Sequence, residues 1–257
     1  MIIRREQIEA LRAAVRRGFE NEMVAHLAQF SPPLFKAVGE NQMREAIRLG
    51  MARAAGYGFE NQGPVRLYLE MMLLFGSDFD TDPQYTWSAE ILTNRDVGSQ
   101  MERADFLYQR TLHYRENVGG PEDEYTLQAL GKIRVWAQQP LPLTEKNLVP
   151  DILREINRIY PQEADYTGED ALEELIHEAG REALKYRFST VRGITLMVVL
   201  MLAFGHGCTH DPLYPWIAGT LNDEAITDPA ARAKRLETKA LTWLDHALAY
   251  FDKSAKT

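Results

Sequence analysis

The sequence predicts an all-α protein, an internally duplicated helical bundle of two similar units of about 100 residues related by a pseudo-two-fold. Three observations lead there. First, sliding the chain by 129 residues and comparing 57–92 with 186–221 gives thirteen identities in 36 positions, where average residue usage would give about two. The identities include Phe75/Phe204, Gly76/Gly205, Asp82/Asp211, Pro83/Pro212, Tyr85/Tyr214 and Trp87/Trp216. Weaker matches at the same offset run outward, from Pro32/Pro161 to Leu112/Leu241. Second, apolar residues recur at three- and four-residue spacing, the period of a helix with one buried face. Third, no alternating run of β-branched residues is long enough for a sheet.

The first unit, 1–117, opens with Ile8, Leu11, Val15, Phe19, Met23, Leu27 and Phe30, a stripe that predicts one long amphipathic helix. Arg4, Arg5, Arg12, Arg16, Arg17 and Glu20 occupy its other face and read as solvated charge. Ser31-Pro32-Pro33 breaks this helix, because proline cannot continue the hydrogen-bond ladder. A second helix follows at about 40–55, then an apolar one at 63–75 and short helices at 83–93 and 100–117. The segment 118–147 is a linker: "VGGPEDEY" supplies turn residues, a connecting helix runs over 126–139, and "QQPLPLTEKN" ends it. The second unit, 148–257, repeats the order. The predicted core includes Leu67, Leu73, Phe75, Leu196, Leu200, Leu202 and Phe204, with Trp136 and Trp243 packed in apolar stripes.

Composition sets the class. A hydrophobic share of 45% and a charged share of 26% are those of an ordinary soluble globular protein. A net charge of −8 argues against a nucleic-acid binder, which must neutralise phosphates, and favours a basic partner. The longest apolar run, "ITLMVVLMLAF", has 11 residues, short of the roughly 20 that span a bilayer. Neither a secretory signal nor membrane insertion is expected. Cys208 is the only cysteine, so no internal disulfide can form and a cytoplasmic setting is expected.

The stretch "FGSDFDTDPQYTW" (75–87) and its counterpart "FGHGCTHDPLYPW" (204–216) hold the candidate chemistry. Both keep Phe-Gly and then Asp-Pro-x-Tyr-x-Trp. Glycine suits a helix C-terminus. Aspartate before proline suits a helix start, the carboxylate capping free amides. Asp82 and Asp211 are therefore expected to be N-caps, and Asp228, before Pro229, a third. Asp78 and Asp80 occur in one copy only, and His206, Cys208 and His210 in the other. Alternate aspartates resemble the start of a calcium loop, but Pro83 stands where that loop needs glycine. His206, His210 and Asp211 could supply zinc with three ligands, the basis of a metal-dependent enzyme reading. Cys208 beside a histidine is formally a nucleophile with a base. The expectation is nevertheless of no cofactor, no metal and no catalytic residue, with Asp78, Asp80, His206 and His210 the residues expected to face a partner. Phosphate-binding glycine loops, nucleophile elbows and zinc-helix motifs are missing from the sequence.

"MIIRREQIEAL", Phe19 to Leu27 with its F-x-x-x-M-V-x-H-L spacing, and "LYLEMMLLFGSDFDTDPQYTWSAEIL" (67–92) together resemble a group of small helical proteins. These are encoded beside spike, PAAR and toxin genes in bacterial type VI secretion and related polymorphic-toxin loci. The resemblance covers roughly 1–117. It implies a protein partner: a toxin neutralised by this chain as its immunity protein, or an effector loaded by it as adaptor or chaperone.

Overall fold

The computed structural model describes residues 5–254, and among these it holds thirteen α-helices and no strand. The first six are α1 (Arg5–Phe30), α2 (Pro32–Val38), α3 (Glu40–Gly56), α4 (Gln62–Phe75), α5 (Thr86–Thr93) and α6 (Gln100–Tyr114). A π-helical turn, Arg115–Gly119, leads from α6 to α7 (Glu124–Ala137). Then follow α8 (Leu148–Ile159), α9 (Pro161–Thr167), α10 (Glu169–Lys185), α11 (Val191–Phe204), α12 (Pro215–Leu221) and α13 (Pro229–Ser254). None of the described helices is long and apolar enough to cross a membrane.

Helix bounds obey the local chemistry. Prolines at the first positions of α2, α9, α12 and α13 stand where a missing N–H costs nothing. Ser99 and Glu102 close a capping box at the start of α6, and the Thr190 hydroxyl accepts from Gly193 N–H at the start of α11. The lengths match in pairs: seven residues in α2 and α9, seventeen in α3 and α10, fourteen in α4 and α11. Within each pair the first residues stand 129 positions apart.

One buried apolar cluster runs from Phe19 to Leu236, with α4 and α11 at its centre. A satellite of Ala129, Trp136 and Ile159 sits under α7. Leu73, Phe75, Leu200 and Phe204 are buried as the apolar pattern predicts, whereas Leu67, Leu196 and Leu202 are only partly buried. Leu202 is not fully enclosed because it forms part of a cavity wall.

The α1 stripe is corrected in the same way. Phe19, Met23 and Leu27 are buried, but Leu11, Val15 and Phe30 are exposed. The first turns of α1 therefore extend past the body of the bundle. Arg4 lies outside the described residues, as do the side chains of Arg5 and Ile8.

Candidate functional site

Two features stand out: the joint formed by the turns after α4 and α11, and a cavity beside it. The joint is built by exchange. Asp82 Oδ1 accepts from Gln84 N–H at 2.9 Å, while Oδ2 accepts from His206 N–H across the joint at 2.7 Å. Asp211 Oδ1 accepts from Leu213 N–H at 2.8 Å, while Oδ2 accepts from Ser77 N–H at 2.8 Å. Ser77 Oγ adds a third bond to Asp211, at 2.6 Å. Asp82 thus caps the short 3-10 turn Pro83–Tyr85 and holds the opposite turn. Asp211 holds the opposite turn too, but it is not the helix N-cap expected: it closes a local turn at Leu213, and α12 starts only at Pro215 with Tyr214 at its N-cap. Burial pushes both carboxyls above the ordinary aspartate range, with the amide hydrogen bonds acting against that rise.

Glycine is required between the turns. Gly76 (φ +96°) and Gly205 (φ +85°) adopt backbone that side chains disfavour. A Cβ on Gly76 would lie 2.5 Å from Phe204 O, and one on Gly205 would lie 2.7 Å from Phe75 O. The aromatics repeat this pairing. Phe75 packs on Tyr85 at 4.6 Å, Trp87 at 6.0 Å and Tyr114 at 5.3 Å. Phe204 packs on Tyr214 at 4.6 Å, Trp216 at 5.8 Å and Trp243 at 4.7 Å. Asp228 Oδ1 and Oδ2 accept from Ala230 and Ala231 N–H at the start of α13.

The residues expected to face a partner are mostly engaged within the chain. Arg53 of α3 bonds both Asp78 and Asp80, its Nε lying 3.2 Å from Asp80 Oδ2. Asp80 is only 2% exposed. Burial raises the cost of ionising Asp78, yet the His210 hydrogen bond and the Arg53 charge hold its carboxyl below the usual range. His206 Nδ1 lies 3.1 Å from both Glu178 carboxylate oxygens, and its Nε2 is 3.0 Å from Thr81 Oγ1. His210, whose side chain is 71% exposed, reaches Asp78 Oδ2 at 3.3 Å and is pushed up in pKa by that hydrogen bond. Of the four, His210 is the one that faces solvent.

His206, His210 and Asp211 therefore serve three different sets of protein groups. Among the described residues no group of three or more His, Cys, Asp and Glu is placed to hold a metal ion. Cys208 is fully buried, and burial drives its thiol well above the ordinary range, away from the thiolate a nucleophile needs.

The cavity escaped the sequence reading. Its volume is about 350 Å³, and its lining comes from α4, α6, α7, α8, α9, α11, α13 and the residues around the π-helical turn. Buried Glu163 stands in its wall, accepting from Tyr114 O–H at 2.5 Å and Thr167 O–H at 2.6 Å. Burial raises the Glu163 carboxyl above the ordinary glutamate range, opposed by those two hydrogen bonds. Asp123, at the rim, has φ +60°, and its neighbour Glu122 has φ +50°. Left-handed backbone at two successive non-glycine residues, beside a π-helical turn, is the kind of local strain that marks functional sites. The one sequence signal was Glu163 among tyrosines in "YPQEADY", and it is weak. Comparison with family models, curated proteins and solved structures finds no match for this chain.

Proposed function

We propose that this chain is a non-enzymatic protein-binding module of the immunity type, which binds and neutralises a secreted antibacterial toxin from the cytoplasmic side. The observation that carries this reading is the outer face of α6. Met101, Tyr108 and Leu112, exposed at 54%, 46% and 42%, stand successively two turns and one turn apart on one face, with exposed Asp105 between the first two. Large apolar side chains around an aromatic are the usual anchors of a protein interface. The carboxylate and the net charge of −8 suit a basic toxin surface and would speed its capture. The resemblance of the first half to proteins of toxin loci points the same way.

A second reading, an effector adaptor or chaperone, draws on α1. Its exposed Leu11 and Val15 could lie along an apolar segment of a client. We also read 1–117 and 148–257 as two copies of one unit related by a pseudo-two-fold and joined by 118–147. The matched helix lengths and the reciprocal bonds of Asp82 and Asp211 support it.

Co-expression with the products of adjoining reading frames tests the function. One product should arrest growth alone and lose that effect when this chain is present. Tyr108→Glu should abolish the rescue while changing stability by no more than about 0.5 kcal/mol, as for an ordinary surface substitution. A complex that forms without protecting growth would sink the immunity reading in favour of the adaptor.

A further inference from the structure

We propose that the cavity beside the joint is a binding site for a small lipophilic primary amine, with its ammonium on Glu163 and its hydrocarbon part among Leu74, Val199 and Leu202. This inference is independent of the protein-binding reading. It begins with charge. Four charged residues line the cavity. Arg115 and Asp123 pair with each other at 3.5 Å, and Glu155 pairs with Arg158 at 2.7 Å. Glu163 is left. It is 5% exposed, and the groups that act on its carboxyl are Thr167, Tyr114 and Asp82, none of them a cation. A buried carboxylate is costly unless a positive charge meets it. Tyr114 and Thr167 occupy one acceptor position on each oxygen, and a carboxylate has about four. Room remains for an ammonium to donate.

The surroundings select the rest of the ligand. Phe75, Tyr85 and Tyr114 line the cavity and pack on one another with centroids 4.6 to 5.5 Å apart, and Tyr114 brings this aromatic cluster up to the carboxylate through its hydroxyl. Apart from the paired charges and two threonines, Thr126 and Thr195, the wall away from Glu163 is mostly apolar. A second cavity of about 80 Å³ shares Ile133, Trp136, Val199 and Trp243 with the first and extends the apolar path. At about 350 Å³ the main cavity falls at the lower end of the range for small-molecule sites, about 300–1,000 Å³.

Binding also moves a proton. Where Glu163 is protonated before binding, Glu163–COOH and R–NH3+ give the carboxylate–ammonium pair and release one proton to solvent.

Octylamine, octanol and octanoate titrated into the full-length chain test the site, followed by tryptophan fluorescence, since Trp136 and Trp243 line it, and by calorimetry. Octylamine should bind saturably and at least about ten-fold more tightly than octanol, with octanoate weaker still, as a charge-assisted hydrogen bond requires. Glu163→Gln, which keeps the shape, should erase the preference for amine over alcohol. Calorimetry in buffers of different ionisation enthalpy should show proton release near and below the raised Glu163 pKa, and none in that variant. Equal affinity for alcohol and amine, or a folded Glu163→Gln chain that keeps the preference, overturns the proposal. Should Glu163→Gln not fold, Leu202→Trp, which fills the cavity, must abolish octylamine binding; octylamine binding unchanged in that variant overturns it as well.

Discussion

In the turn after α4, Arg53 reaches from α3 to Asp78 and Asp80. In the turn after α11, Glu182 reaches from the matching place on α10, 129 residues on, to the Thr209 hydroxyl at 3.0 Å. The connection between long helix and turn is the same, but in one half it is a buried ion cluster and in the other a neutral donor on a carboxylate. What both halves keep is whatever the backbone needs: the glycine where carbonyls approach, the aspartate that serves two N–H groups, and the aromatics on Phe75 and Phe204. Bracing by side chains can change chemistry without changing the turn. Backbone satisfaction cannot.

This contrast can be broken experimentally. The largest effect should come from Arg53→Met. It leaves Asp80 buried with its cation gone and should cost about 3–5 kcal/mol, as removal of one partner of a buried pair does. Glu182→Gln, on the other side, should cost far less, and denaturant melts of both variants measure the difference. Equal losses would mean that the two braces do the same work and that the charge in the first is incidental.

Next comes Asp211→Ala, which removes the acceptor of Leu213 N–H and strands the N–H and hydroxyl of Ser77 in a buried place. We expect about 2–4 kcal/mol, more than the 0.5–2 typical of a cap alone. Asp228→Ala, at an exposed helix start with no bond across the joint, should cost only about 1 kcal/mol. If the two variants melt alike, the bond across the joint contributes nothing.

The smallest effect is a pH dependence. The hydrogen bond that His210 donates to the Asp78 carboxylate, opposed by partial burial, raises the His210 pKa. Its contribution should be complete below the unfolded value of about 6.5 and fade as pH rises through the higher folded value. Groups facing it include Asp78, Arg53 beyond it, Asp211 and Glu182. A His210→Ala chain should lose that fading between pH 6 and 8 (roughly the interval in which histidine titrates) and otherwise behave as the parent. An unchanged pH profile would show that His210 is not coupled to the fold.

The elements of the fold were legible because their signals are local: proline after serine, aspartate before proline, an apolar run of the right length. The Asp82 cap and the local bond of Asp211 to Leu213 N–H were legible for the same reason, but that α12 starts only at Pro215 was not, nor were the bonds both carboxylates make across the joint. Nothing in the sequence places Ser77 beside a residue 134 positions away. Asp78 and Asp80 looked free because Arg53 is 25 and 27 residues distant and belongs to another helix. The cavity was hidden most completely. Its walls come from seven helices, and every apolar wall residue taken alone, Leu202 included, reads as ordinary core.

Gly207 gives the joint a further meaning. A Cβ there would run into the Asp78 carboxylate, and Asp78 and Gly207 are the same position counted 129 residues apart. If a free first half were to pair with a twin of itself through this joint, it would set Asp78 against Asp78, two bulky like charges in the space that now admits one. On the two-copy reading, fusing the halves into one chain removed that conflict by letting the two positions diverge. On that reading the two turns fit each other because they differ at this position: one brings the side chain and the other leaves the space for it.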